Sequence, residues 1–298
     1  MLARAQQALT LGALLLALLW AVLAWRAGSP LWALVGVAAV LFGHALVLAV
    51  EMVFLRATHG ADPTPRATTT QLLHAWFGEV VSAPTVFCWR QPFRSQRWTD
   101  RLDGNARGQR AVLFVHGFVC NRGLWNPWLA KLTAQGTPFV AINLEPVFGS
   151  IDDYVDGIES AMRRIEAATG LAPVIVAHSM GGLAVRRWYS QHGDTARVQH
   201  VITIGAPHQG TWLARFAVTR NSRQMRQLSG WLSTLAARET KAAPERWTCF
   251  YGHCDNIVFP PISATLPGAD NRHLPGVAHV HMADRPEPWA ALQEQLRR

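Results

Sequence analysis

Two uncharged apolar runs near the amino terminus constrain this chain more than any other feature. Ala8 to Trp25 is eighteen residues long with Thr10 as its one polar side chain, and Leu31 to Val50 is twenty residues interrupted only by His44. At about 1.5 Å of rise per residue, each run as a helix is roughly as long as the hydrocarbon core of a bilayer is thick. The intervening Arg26-Ala27-Gly28-Ser29-Pro30 is turn-rich and too short for a domain. Residues 1–56 therefore read as a transmembrane helical hairpin. The rival reading is a cleaved signal peptide, with Arg4 as its basic flank and Leu9–Trp20 as its apolar stretch. A second long run following at once argues for the hairpin. Arg4 precedes the first run, Arg56 and Arg66 follow the second, and Arg26 alone lies in the turn. Basic residues stay on the cytoplasmic side, so the expectation is a two-span anchor in the cell membrane with the remainder on its cytoplasmic face. His44 and Glu51, seven apart, share a helix face near one end of the second span. An ionisable residue there is a functional candidate, although Glu51 reads first as interfacial.

The charge excess points the same way. The net charge is +9, but Lys and Arg are scattered, with no run of five and no nucleic-acid-binding module. Nucleic acid is therefore not expected as a partner; an anionic lipid bilayer fits better. Cys88, Cys120, Cys249 and Cys254 form no C-x-x-C pair, so free thiols are expected rather than a disulfide framework or a metal knuckle. Neither metal nor cofactor is implied, and the oligomeric state is not legible.

Residues 57–84, with Pro63, Pro65 and a Thr-rich stretch, read as a linker, and residues 85–298 as one domain. In that domain short apolar runs alternate with helical patterns. The expected strands are Thr85–Trp89, Ala111–Val115, Phe139–Asn143, Pro173–Ala177, Val198–Ile204 and Trp247–Tyr251. The expected helices are Leu124–Gln135, Ile151–Thr169, Met180–His192 and Pro286–Leu296. The strands are continuously apolar, as in a parallel sheet covered on both faces. Strand–helix alternation then predicts an α/β fold with a doubly wound, mainly parallel sheet.

One junction carries chemistry. Residues 173–182 read Pro-Val-Ile-Val-Ala-His-Ser-Met-Gly-Gly: an apolar strand runs into Ser179 and a helical pattern follows. This is the strand–turn–helix setting of a G-x-S-x-G nucleophile elbow, with Ala177 in place of the first glycine and Gly181 as the second. The turn lifts a hydroxyl to the carboxyl edge of the sheet, and the Met180 N–H at the helix start can stabilise an oxyanion. Residues 111–118, Ala-Val-Leu-Phe-Val-His-Gly-Phe, end a strand in a loop at Gly117. The Phe118 N–H is the second oxyanion candidate, and His116 reads as a brace for that loop. Where such an elbow is used, the acid and then the base follow the serine along the chain. Asp255 lies just past the Trp247–Tyr251 strand and is preferred over Asp270 and Asp284. His279, in the loop before the last helix, is preferred over His281, His273 and His253. These roles describe two-step acyl transfer: His279 takes the Ser179 proton, Asp255 fixes the imidazole, and water releases the acid from an acyl-enzyme.

The strings Val-His-Gly-Phe (115–118), Ala-His-Ser-Met-Gly-Gly (177–182), Thr-Ile-Gly-Ala-Pro-His-Gln-Gly-Thr (203–211) and Gly-Val-Ala-His (276–279) resemble bacterial lipases and esterases of the α/β-hydrolase superfamily. The resemblance covers roughly residues 110–285 and implies a serine hydrolase acting on carboxylic esters. It does not extend to the N-terminal hairpin, and no acidic cluster matches the calcium site that some such lipases carry. Residues 211–243 lie where this fold places a cap or lid. Arg215, Arg220, Arg223, Arg226, Arg238 and Lys241 there outnumber Glu239 and interleave with Trp212, Phe216, Leu228, Trp231, Leu232 and Leu235. A cationic amphipathic cap beside a bilayer would favour lipid esters; a helix packed on the core has the same composition. The same triad also allows acyl transfer to an acceptor other than water, and the same fold without activity would be a membrane-bound binding module.

Overall fold

A computed structural model describes residues 1–192, 195–239 and 243–298. Helices α1 (Leu2–Arg26) and α2 (Pro30–Ala57) form an antiparallel pair, each long and apolar enough to cross a membrane. Pro30 opens α2, where a missing backbone N–H is no loss, and Gly28 turns the chain at φ +73°. Leucines, valines and tryptophans along both helices, among them Leu9, Leu19, Leu34 and Leu46, face outward uncovered by protein.

Helix α3 (Thr69–Pro84) corrects the reading of residues 57–84 as a linker. It begins in a capping box: the Gln71 N–H donates to Thr68 Oγ1 at 3.2 Å and the Thr68 N–H to Gln71 Oε1 at 2.9 Å. The prolines that suggested a linker end before this cap. Residues Thr85–Arg90 continue as π-helix into α4 (Gln91–Arg94), so the expected strand Thr85–Trp89 is helical. The β-branched and aromatic residues there favour a strand locally, but packing decides: Val86 faces the core, and buried Gln91 accepts a 2.8 Å hydrogen bond from Gln6 of α1.

The sheet has six parallel strands in the order β2-β1-β3-β4-β5-β6: β1 (Val112–Val115), β2 (Phe139–Ala141), β3 (Val174–His178), β4 (His200–Ile204), β5 (Trp247–Tyr251) and β6 (Asp270–His273). Its register pairs Val115 with Ala177, His178 with Ile204 and Ile204 with Phe250. Strand β6, Asp-Asn-Arg-His, had no apolar signature; it is an edge strand, and charged edges are tolerated. Alternate side chains feed two cores. Leu113, Val115, Ile175 and Ala177 pack with α6 (Val155–Thr169) and α7 (Met180–His192), whereas Val112, Phe114, Val174 and Val176 pack with α5 (Asn126–Gln135) and α10 (Pro286–Arg297). Both faces are thus covered, as a doubly wound sheet requires. The stretch after β4 holds α8 (Arg220–Gln224) and α9 (Gly230–Arg238). Leu232 and Leu235 of α9 join the core, while residues 212–216 turn towards α2, with Trp212 5.4 Å from Phe54. Lys241 lies outside the described residues. Cys88 is exposed and the other three cysteines are buried, all as free thiols.

Candidate active site

Strand β3 ends at His178 and α7 starts at Met180, leaving Ser179 as the whole connection. Its φ is +54°, a left-handed conformation that costs a non-glycine residue on the order of 1 kcal/mol or more. The neighbours hold it there. The Ser179 N–H donates to Ile204 O at 2.9 Å, and the residues around the turn leave no space to relax. A Cβ on Gly181 would lie 2.5 Å from His116 O, and one on Gly117 2.8 Å from Ser179 Cβ. Ala177 is fully buried in β3. The Met180 N–H belongs to the first turn of α7, whose donors have no partner within the helix.

The loop after β1 abuts this turn. The Leu144 N–H donates to His116 Nε2 at 3.0 Å, so the ring proton sits on Nδ1 and is shared with Gly117 O at 2.9 Å. Burial pushes His116 down to about 4, which keeps it neutral and suited to bracing rather than proton transfer. Phe118 follows, and Val119 next to it has φ +53°, unusual for a β-branched residue.

Past β5, Asp255 is buried and accepts the Ile257 and Val258 N–H groups on Oδ1, at 2.9 and 2.8 Å. Its Oδ2 meets His279 Nδ1 at 2.9 Å. Burial pulls His279 down, but the adjoining Asp255 carboxylate, helped by the charges of Glu79 and Glu51, makes the net direction up. The elbow and this pair flank one piece of backbone. Ile204 O receives the Ser179 N–H, and the next residue, Gly205 at φ +57°, leaves little room for a Cβ: one would lie 3.0 Å from Asp255 Oδ2 and 3.1 Å from His279 Nδ1, so the pair would have to give by a few tenths of an ångström. His178, preceding the serine, stacks obliquely on the His279 ring at 4.7 Å and donates from Nε2 to His279 O at 3.2 Å. Gly205→Ala is accordingly expected to lower kcat/KM by up to about 100-fold, by displacing the pair by less than an ångström, and to lower the melting temperature through its strained φ. Wild-type turnover in that variant would contradict this geometry.

The competing candidates are elsewhere. Asp270 is exposed in β6 and pairs with Arg272 at 2.7 Å; Asp284 pairs with Arg90 at 2.9 Å. His253 and His273 face each other at 4.7 Å, and the His281 ring lies against Gly78 of α3. Among the described residues no group of three or more His, Cys, Asp or Glu is arranged to hold a metal ion. Four further residues lie at the site: His178, inside the elbow string; Glu51, the ionisable residue near the end of the second apolar run; and Asn256 and Glu79, which no motif marks. The Asn256 Oδ1 accepts the His279 N–H at 3.1 Å. Glu79, in α3, accepts the Val280 and His281 N–H groups at 3.0 and 2.9 Å. Glu51 accepts from Asn256 Nδ2 at 2.6 Å. The one available signal was the rarity of a carboxylate at the end of an apolar helix.

Similar proteins sharpen the comparison. The family described as alpha/beta hydrolase fold matches residues 110–272. No curated protein matches the chain in sequence. Among solved structures, a mature lipase from Bacillus licheniformis superposes with a TM-score of 0.55 at 19% identity, covering 63% of this chain and 92% of that one. Aspergillus fumigatus lipase B superposes with a TM-score of 0.54 at 22% identity, over 62% of this chain and 52% of that one. At such identities the likeness is one of fold. The sheet order, the strained serine between β3 and α7, and a family match over more than half of the sequence have one common reading: the chain belongs to the α/β-hydrolase family.

Proposed function

We propose that this protein is a membrane-anchored serine hydrolase that cleaves carboxylic esters, with Ser179 as nucleophile, His279 as base and Asp255 as its partner. The observation that carries the reading is the 2.9 Å His279–Asp255 pair, packed against the same residue pair, Ile204 and Gly205, that holds the strained Ser179 turn. Asp255 accepts from Nδ1, so Nε2 is the ring atom free to take the serine proton. As the hydroxyl adds to the ester carbonyl, the Met180 and Phe118 N–H groups receive the negative charge, before the alcohol leaves and water completes the cycle.

The placement of the anchor supports lipid esters as the substrate class. Both ends of the hairpin meet loops at the carboxyl edge of the sheet. Gln6 of α1 reaches Val119 O, after β1, and the amino terminus reaches Glu145, after β2; Glu51 of α2 reaches Asn256, after β5. On this reading the mouth of the site faces the bilayer that the helices would enter, with exposed Phe148 6.0 Å from the Phe118 ring beside it. The basic residues flanking the helices favour the cytoplasmic face. Each methylene buried in an acyl pocket contributes about 0.8 kcal/mol, so four more carbons favour a long chain by up to about 200-fold. Hydrolysis of a chain-length series of glycerides in vesicles, beside short soluble esters, tests this. A rising kcat/KM with length is expected; equal or better rates on short esters would remove the lipid reading. Added alcohols would divert the acyl group if the natural acceptor were not water.

A further inference from the structure

The loop that carries His279 has little regular structure of its own: it lies between β6 and α10, and Gly276 turns it at φ +67°. Three consecutive backbone donors in it, on residues 279, 280 and 281, are all held by side chains from outside the loop. Glu79, only 1% exposed, takes two of them, Val280 N–H on Oε1 at 3.0 Å and His281 N–H on Oε2 at 2.9 Å. The third goes to Asn256 Oδ1 at 3.1 Å, and the Asn256 Nδ2 donates to Glu51 Oε2 at 2.6 Å.

This last chain has a definite sense. An ionised carboxylate only accepts, so the NH₂ end of Asn256 must face Glu51. The amide oxygen is thereby aimed at His279 N–H, and the opposite rotamer would set acceptor against acceptor at Glu51 and donor against donor at His279. Glu79 is equally directional, because each oxygen serves one N–H. Burial raises its carboxyl to about 7, against the pull of the His281 and Val280 donors. Met52 of α2, Ala75 of α3, Cys254 and Ala278 pack around these contacts as one buried cluster.

We propose that Glu51 and Glu79 are positioning residues for His279, so that the N-terminal helices complete the active site as well as tether it. The inference rests on the Ser179–Asp255–His279 reading. It gives the anchor a role in catalysis: separating α2 and α3 from the domain releases the two donors held by Glu79 and removes the Glu51 contact that orients Asn256 towards the third. Displacement of a reacting group by about 1 Å can cost on the order of 100-fold in rate, without any change in the groups that contact substrate.

The test uses the full-length protein in detergent micelles, with Glu51→Leu, Glu51→Gln, Glu79→Ala, Asn256→Ala and the Glu51→Leu/Asn256→Ala pair. Rates are normalised to folded protein by thermal unfolding. The expected result for Glu51→Leu and Glu79→Ala is a fall in kcat of about 10- to 100-fold, with KM changed by less than about threefold. Fluorophosphonate labelling of Ser179 should slow in parallel. Glu51→Gln keeps an acceptor for Asn256 and should recover most of the loss. The double variant should be no slower than Asn256→Ala alone, because both changes break one chain of bonds. A merely structural role would lower the folded fraction and leave kcat per folded molecule intact; that outcome overturns the proposal. So would additive losses in the double variant, or a Glu51→Gln as slow as Glu51→Leu. Should Glu51→Leu not fold, Asn256→Ala and Glu79→Gln, which retains one of two acceptors, read out the same loss of kcat. Ser179→Ala separates the two levels. If it still hydrolyses ester, the triad reading is wrong; if it is dead while the Glu51 and Glu79 variants run at wild-type kcat, only the positioning role is.

Discussion

Ser179→Ala is expected to abolish fluorophosphonate labelling and to reduce ester hydrolysis by about 10⁵- to 10⁶-fold, while leaving the melting temperature equal to or above that of the wild type. On the proposed mechanism the rate loss follows from removing the atom that would form the acyl-enzyme; what remains is attack by water at a site that could still bind substrate and hold an oxyanion. The stability expectation follows from the turn. Its φ of +54° is a strain held by Gly117, Gly181 and the hydrogen bond to Ile204, none of which needs the hydroxyl. Replacing serine by alanine removes a buried polar atom and no backbone bond. Active-site labelling followed by ester turnover and thermal unfolding reads all three quantities. Persistent labelling in the variant would mean that the reactive group is another residue.

The second large effect concerns the base. Asp255→Asn is expected to lower kcat/KM by about 10⁴-fold, with the wrong imidazole tautomer as the cause. Asp255 accepts from His279 Nδ1 in the wild type; an asparagine that offered its NH₂ there would leave the proton on Nε2, the position needed for taking one from serine. The pH profile should shift as well. In the wild type burial lowers His279 while Asp255, with Glu79 and Glu51, raises it, and the net direction is above its ordinary value of 6.5, so kcat/KM should fall away as pH drops through a point above that value. Without the Asp255 charge, burial is the largest influence left on His279, against the smaller pull of Glu79 and Glu51, and the acid limb of the residual activity should move to lower pH. Rates measured from mildly acidic to mildly alkaline pH check the sign. An acid limb that stayed in place would show that another group sets it. His279→Ala should match Ser179→Ala in turnover, since nucleophile and base act as one unit.

Much of the domain was legible in the residues because its strands are buried on both faces and therefore read as unbroken apolar runs. Five of the six strands and the four long helices of the domain were visible on this ground. Strand β6 was not, since an edge strand needs no apolar face, and Thr85–Trp89 misled for the opposite reason: strand-favouring residues were absorbed into a helix by the packing of Val86 and Gln91. Helix α3 was hidden behind two prolines that lie before its cap rather than within it. At the site, Ser179 announced itself because a strained turn permits so few neighbours. Asp255 and His279 stood out from other acids and histidines only by position in the chain, and the 2.9 Å contact between their side chains is a fact of three dimensions.

The apolar helices, the doubly wound α/β sheet and the place where a serine could be forced into a left-handed turn were set by the residues locally, because each depends on local composition and on the period with which side chains alternate. Only the tertiary structure decided which acid meets which imidazole, and that Glu51 and Glu79, some two hundred positions away in the chain, hold the loop carrying it. Hydrogen bonds and charge pairs act over about 3 Å, and no pattern along a chain records which distant residues folding will bring within that range.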